Sequence, residues 1–264
     1  NVGVHAQLRP HIKLKIKTTL FWQTTCPTMN NHYATLLVLC ALVSMTSCEK
    51  TKDKAESSSI TQWEIGPFVK QDAENPILLP NPSLVFVDPV SGEETAFEGR
   101  NVLNPSAVVK DGKVHLLYRA QDQKMTSRIG LATSEDGIHF IKEPAPIFFP
   151  DNDAMLVYEN NGGVEDPRVV QGPEGNYWLT YTAYDGKTAR LCIASSPDLR
   201  QWTKHGPVLN DPKYIDLWSK SGAIVVEHQG EEMRAKKIDG QYWMYFGDTN
   251  LYMAYSTNLK DWKV

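Results

Sequence analysis

A strand, a glycine turn, an aromatic-rich strand, a loop and a small-residue strand recur three times along this 264-residue chain. The first copy reads VVKDGKVHLLYRA, Val108 to Ala120, then SRIGLATSEDGIHF, Ser127 to Phe140. The second reads VVQGPEGNYWLTYTA, Val169 to Ala183, then ARLCIASSPDLRQW, Ala189 to Trp202. The third reads AKKIDGQYWMYFGD, Ala235 to Asp248, then LYMAYSTNLKDW, Leu251 to Trp262. Asp136, Asp198 and Asn258 mark equivalent positions, 62 and then 60 residues apart, and Phe140, Trp202 and Trp262 close the copies. Alternation and turn signals dominate, and no stretch sustains a helical period. A strand unit of this size cannot bury both faces alone, so such units stack as propeller blades. The expected fold is all-β, a β-propeller with three recognisable blades, each closing aromatic packed between neighbours. Three blades do not close a ring. The chain stops at Asp261-Trp-Lys-Val264, where a further strand would begin, so the expectation is a propeller truncated at its C-terminus.

The segment before the repeats reads differently. Residues 1–28 begin without methionine and carry the basic-apolar patch His11 to Lys17; they read as an upstream, non-native segment. From Met29 a short polar head leads into the apolar run Ala34 to Val43 and then Met45-Thr-Ser-Cys48. That run is too short to span a bilayer but suits the core of a signal peptide. Small residues before Cys48 make residues 29–47 look like a bacterial lipoprotein signal, with Cys48 the lipidated first residue. The pattern departs from the usual one at Met45 and in a head lacking Lys or Arg. Residues 48–59, rich in Lys, Glu and Ser, read as a disordered tether, and 60–264 as the partial propeller. Periplasmic or cell-surface location, with a membrane link through Cys48 alone, follows from this reading. Cys192, in the apolar run Leu191 to Ala194, is expected in the core. A net charge of −4 gives no basic footprint for nucleic acid. The histidines are scattered without metal-ligand spacing, so neither metal nor cofactor is expected.

Between the first two copies lies GGVEDPR, Gly162 to Arg168. Two adjacent carboxylates, Glu165 and Asp166, precede a proline that fixes its own φ and is expected to push Asp166 away from helical geometry into an extended one. Arg168 offers a fixed fork for an anion or carboxylate. By itself the stretch reads either as a salt-bridged turn at a strand start or as side chains placed for use.

With NPIL (Asn75 to Leu78), NVLNPSAVV (Asn101 to Val109), LLYRA (Leu116 to Ala120), SRIGLATSEDGIHF, YTAYDG (Tyr181 to Gly186) and WSKSGAI (Trp218 to Ile224), the stretch resembles glycoside hydrolase family 130. The resemblance runs in order from Asn75 to the end. It implies a five-bladed propeller that cleaves β-mannosides by hydrolysis or phosphorolysis. Other five-bladed sugar hydrolases share the blade pattern, but the EDPR run favours this family. The resemblance makes Asp166 the general acid, protonating the leaving oxygen, by a relay through a sugar hydroxyl in the phosphorylases. Such an acid must keep its proton until the transition state, so Glu165 and burial should raise its pKa. Arg168 is then expected to face the sugar or Glu165 instead of Asp166. Asn104 and Arg119 match family motifs and are expected to bind hydroxyls of the terminal sugar, a salt bridge at the channel being the alternative for Arg119. Asp185 follows a strand facing the same mouth and joins the candidate substrate-binding set. Lys220 takes the position of a family lysine near the catalytic centre, where a buried unpaired lysine would be costly. Asp248 reads as either a sugar ligand or a turn residue.

Phosphorolysis needs a cationic cradle and no base, with inorganic phosphate as co-substrate. Inverting hydrolysis needs a second carboxylate across the bond. Glu227, Glu231 and Glu232 are candidate bases, although EHQGEEM reads equally as a solvated hairpin tip. A lipid-anchored enzyme outside the cytoplasm would not retain a sugar phosphate, so the sequence points to an exo-acting inverting β-mannosidase. A β-mannoside phosphorylase or a non-catalytic glycan-binding lipoprotein are the alternatives.

Overall fold

The computed structural model describes residues 69–264; the expectations for residues 1–28, the signal at 29–47, Cys48 and the whole tether at 48–59 lie outside them. The described chain is nearly all β. A small hairpin pairs β1 (Val85–Val87) with β2 (Glu94–Ala96). The first repeat forms an antiparallel meander of β3 (Asn101–Lys110), β4 (Lys113–Gln121), β5 (Ser127–Ser134) and β6 (Ile141–Lys142). A one-turn helix, α1 (Leu156–Glu159), leads to the second meander, β7 (Gly163–Gln171), β8 (Tyr177–Tyr184), β9 (Ala189–Ser196) and β10 (Thr203–Pro207). The third unit opens with β11 (Ala223–Ile224). A hairpin of β12 (Val226–Gln229) and β13 (Glu232–Ala235) follows, then β14 (Lys237–Ile238), β15 (Gln241–Gly247) and β16 (Leu251–Ser256). There β11 and β14 share one edge of β15 and β16 takes the other. Single parallel bridges to β7, from Ser127 of β5 to Gly163 and from Arg234 of β13 to Gln171, tie the units together.

The middle strands β8 and β9 are buried almost throughout. Their sequences, YWLTYTAY and ARLCIASS, are apolar on both faces because each face meets a neighbouring sheet. Leu117, Ile129, Leu131, Val169, Leu179, Tyr181 and Cys192 fill the space between the first and second sheets. Trp178, Leu191, Ile193, Met244, Phe246 and Trp262 fill that between the second and third. Phe97, Tyr118 and Ala132 pack under the first sheet with Phe86 and Phe140. The closing aromatics are thus packing residues, and Cys192 is fully buried.

The repeat is also legible in hydrogen bonds. Ser134, Ser196 and Ser256 hydroxyls bond the side chains of Asp136, Asp198 and Asn258, and Trp202 and Trp262 donate to the Leu199 and Leu259 carbonyls. A buried triad occurs twice. Glu98 accepts from Tyr118 at 2.6 Å and from Lys142, and Glu159 accepts from Tyr181 at 2.9 Å and from Lys204. Burial pushes Glu159 up to about 7, against the pull of Lys204.

Candidate active site

Each first strand breaks its ladder at one equivalent place. In β3 the register shifts between Leu103 and Ser106, around Asn104-Pro105; in β7 it shifts between Glu165 and Arg168, around Asp166-Pro167. Ahead of β11, Gly247 N–H donates to the Lys220 carbonyl at 2.9 Å while Ala223 pairs with Tyr245, so Ser221-Gly222 occupies the same bulge. Asn104, Asp166 and Ser221 carry left-handed backbones, with φ of 43°, 51° and 60°. Non-glycine residues avoid that region, Asn and Asp least, so three in register mark a built feature. Proline after Asn104 and Asp166 removes a donor that a bulge would leave unpaired. Gly222 stands where proline would be: a Cβ there would lie 2.9 Å from Leu191 and Met244, and the Thr180 hydroxyl donates to its carbonyl at 2.6 Å.

The bulges bring Asn104 and Asp166 together across two sheets. Asn104 Nδ2 donates to Asp166 Oδ1 at 2.7 Å. Arg119, on β4, donates from Nη1 to the same oxygen at 3.1 Å and from Nη2 to Glu165 Oε1 at 2.6 Å, while its Nε donates to Ser127 Oγ at 2.9 Å. Arg119 therefore forms the salt bridge that the sequence left as its alternative role, to both carboxylates at once. Asp166 Oδ2 has no partner among the described residues. Burial pushes Glu165 above the ordinary carboxylate range; Arg119 opposes this, Asp166 adds to it, and Lys220 lies near enough to oppose it as well. Gly163 makes the approach of the sheets possible, since a Cβ there would sit 2.1 Å from the Ser127 carbonyl oxygen.

Arg168 is not at Glu165. The bulge sets the two opposite different partners, Thr180 and Thr182, and Arg119 fills the place at Glu165. Arg168 is exposed and lines a cleft of 620 Å³ with Asn104, Asp166, Ala223, Ile224 and Met233. Its guanidinium has no carboxylate partner among the described residues. Lys220 pairs with Asp248 at 3.1 Å and lies over the Trp218 ring, so Asp248 is a lysine partner in this state.

Asp185 stands apart from this network. It caps a turn by accepting from Lys187 and Thr188 N–H and binds Arg190 at 2.7 Å; Arg190 also holds Asp216. The first repeat has the same clamp, Asp122 capping a turn and holding Arg128, which also holds Asp88. Recurrence at both places gives Asp185 a scaffold role. Glu227 and Glu232 sit on the β12–β13 hairpin, paired with Lys236 and Arg234, with exposed Glu231 at the turn; the three form a solvated hairpin.

Asp166, held by an amide and an arginine, thus sits on a strand bulge beside a cleft that Arg168 also lines. A family model described as glycoside hydrolase family 130, β-1,4-mannooligosaccharide phosphorylase, matches residues 70–264, and the chain belongs to that family. It is 29% identical over 205 residues to a 1,2-β-oligomannan phosphorylase from Thermoanaerobacter sp. (strain X514), covering 74% of this chain and 58% of the relative. It is 29% identical over 169 residues to a β-1,2-mannobiose phosphorylase of the same organism, covering 58% of this chain and 49% of that one. The chain thus spans about half the length of these relatives. Among solved structures it is similar to a glycosyl hydrolase from Bacteroides ovatus, at 37% identity and TM-score 0.73 over 76% of this chain and 59% of that one. Another, at 41% identity and TM-score 0.73 over 76% and 58%, comes from work on glycoside hydrolases of family 130 "that target beta-1,2 mannosidic linkages in Candida mannan".

Proposed function

We propose that this chain is the acid-bearing part of a five-bladed propeller enzyme that cleaves β-1,2-mannosidic bonds by phosphorolysis with inversion. Asp166 is the acid. Asn104 and Arg119 fix Oδ1 and leave Oδ2 to carry the proton to the leaving oxygen, directly or through a sugar hydroxyl. A phosphate oxygen attacks the anomeric carbon from the other face, the glycosidic C–O bond breaks, and mannose 1-phosphate and a shortened glycan leave. The observation that carries phosphorolysis is Arg168, an exposed cation lining the same cleft as Asp166, suited to an anionic co-substrate. The two relatives named as phosphorylases support this reading better than the hydrolysis expected from the sequence.

Hydrolysis is the second reading. It is favoured by the 41%-identical structure from work on hydrolases and by the lipoprotein-type leader ending at Cys48, since an exported phosphorylase would lose its sugar phosphate. Export and lipidation belong to that reading. Incubation of full-length protein with β-1,2- and β-1,4-mannobiose, with and without phosphate, separates the two. Mannose 1-phosphate formed only with phosphate supports the first, and phosphate-independent release of mannose overturns it. Asp166→Asn, which keeps a residue tolerant of left-handed φ, should lower turnover by ~10²–10⁴-fold; full activity would remove Asp166 from the acid role.

A further inference from the structure

The third bulge has no role in the reaction just described, and Ser221 holds the register position at which the other two present their working groups. We propose that Ser221 is a substrate-binding residue, its hydroxyl hydrogen-bonding one hydroxyl of the sugar that Asp166 acts on. This rests on the glycoside-cleaving reading and adds a contact to it.

The argument is positional. Asn104, Asp166 and Ser221 occupy the same bulge in three successive sheets, each with a left-handed backbone. In the first two the bulge turns a polar side chain towards the centre of the site, where the two side chains meet at 2.7 Å. The flanking residues agree: Lys220 takes the place of Glu165 before the bulge and lies close enough to influence Glu165. The cleft lined by Asn104 and Asp166 continues to Ala223 and Ile224, directly after Gly222. Ser221 is half-buried, and its hydroxyl has no hydrogen-bond partner among the described residues. A serine is not needed for the turn, because glycine would adopt φ of 60° without the strain that serine bears. What serine adds there is a neutral donor and acceptor, the chemistry that reads a sugar hydroxyl.

The test uses Ser221→Gly, which deletes the hydroxyl and relaxes the backbone, so that lost folding does not mimic lost contact. On β-1,2-mannobiose its kcat/KM should fall ~10-fold, the scale of one neutral hydrogen bond, with an unchanged or higher Tm. A set of monodeoxy mannosides then locates the contact. One deoxy position should cost the wild type a similar factor, and Ser221→Gly should lose nothing further on that analogue. Wild-type kcat/KM in the variant, or an equal loss on every deoxy analogue, overturns the assignment while leaving the enzyme reading in place. A wild-type protein that cleaves no mannoside in either phosphate condition overturns both.

Discussion

Replacing Arg119 with methionine removes one cation from between two carboxylates. Arg119, Glu165 and Asp166 side chains are 16%, 15% and 26% exposed, so the pair is largely withdrawn from water. Unit charges ~4 Å apart attract by ~4 kcal/mol at an effective dielectric of 20. Removing one partner of a buried pair costs ~3–5 kcal/mol, and the remaining exposure puts this site near the lower end, ~3 kcal/mol. For a domain of this size that is a fall in Tm of ~6–12 °C. The cost should depend on pH. Glu165 is already raised by burial against the pull of Arg119; without that pull it rises further and takes up a proton at higher pH. The folded variant then binds more protons than its unfolded chain over a wider range above the ordinary glutamate pKa, and its stability falls as pH rises through that range. Denaturant unfolding of wild type and Arg119→Met at pH 5 and pH 8 should give a larger difference at pH 8. A difference under ~0.5 kcal/mol, the usual scale of a surface change, or one identical at both pH values, would refute the bridging role.

Glu159 is raised to about 7 by burial, so the folded chain keeps a proton that the unfolded chain loses near pH 4.5. Stability should fall from there towards pH 7 by up to ~3 kcal/mol, and denaturant midpoints of Glu159→Gln should lack that fall. Gly163→Ala should abolish soluble expression or lower Tm drastically, because the new Cβ would lie 2.1 Å from the Ser127 carbonyl at φ of 90°; a Tm within 2–4 °C, about 1 kcal/mol, would show that the sheets can separate at no cost. Asn104→Asp places a second carboxylate 2.7 Å from Asp166, which favours a shared proton. Its pH–rate profile should therefore move its acid-dependent limb to higher pH, and an unchanged profile would argue that the side chains part when substrate binds.

The repeat, the three strand units and the packing of Phe140, Trp202 and Trp262 were legible in the sequence because period-2 alternation and Ser-x-Asp/Asn turns are local signals. The carboxylate pair was legible too, since Pro167 after two acids is conspicuous. The salt bridge of Arg119 was legible only as an alternative and without its partners, because the carboxylates lie 46 and 47 residues away and meet it only when two sheets stack. Asp185 was read only as a substrate-binding candidate, and the clamp it forms with Arg190, which Asp122 and Arg128 repeat in the first copy, came from the structure. Ser221 was hidden by spacing. The chain from Asn104 to Asp166 is 62 residues, but from Asp166 to Ser221 only 55, so an alignment on the closing aromatics slides past it. Its other disguise is chemical, with Ser-Gly doing what Asn-Pro and Asp-Pro do elsewhere.

The division between scaffold and chemistry falls within a single register position. A left-handed non-glycine residue costs ~1–3 kcal/mol and survives only where its surroundings enforce it. Here the enforcement is repeated: proline behind Asn104 and Asp166, and the Thr180 bond and close packing behind Gly222. The backbone thus offers the same outlet three times, and the second strand decides what each outlet can do. Opposite the residue before each bulge stand Arg119, Thr182 and Gly247 in turn. Only the first is charged, and it reaches into the neighbouring sheet to hold Glu165 and Asp166. Among the three described bulges the second alone carries two adjacent carboxylates, and it is the one that Arg119 reaches. The Asp166 carboxylate sits where the preceding repeat supplies its counter-charge, and the third bulge carries a neutral hydroxyl.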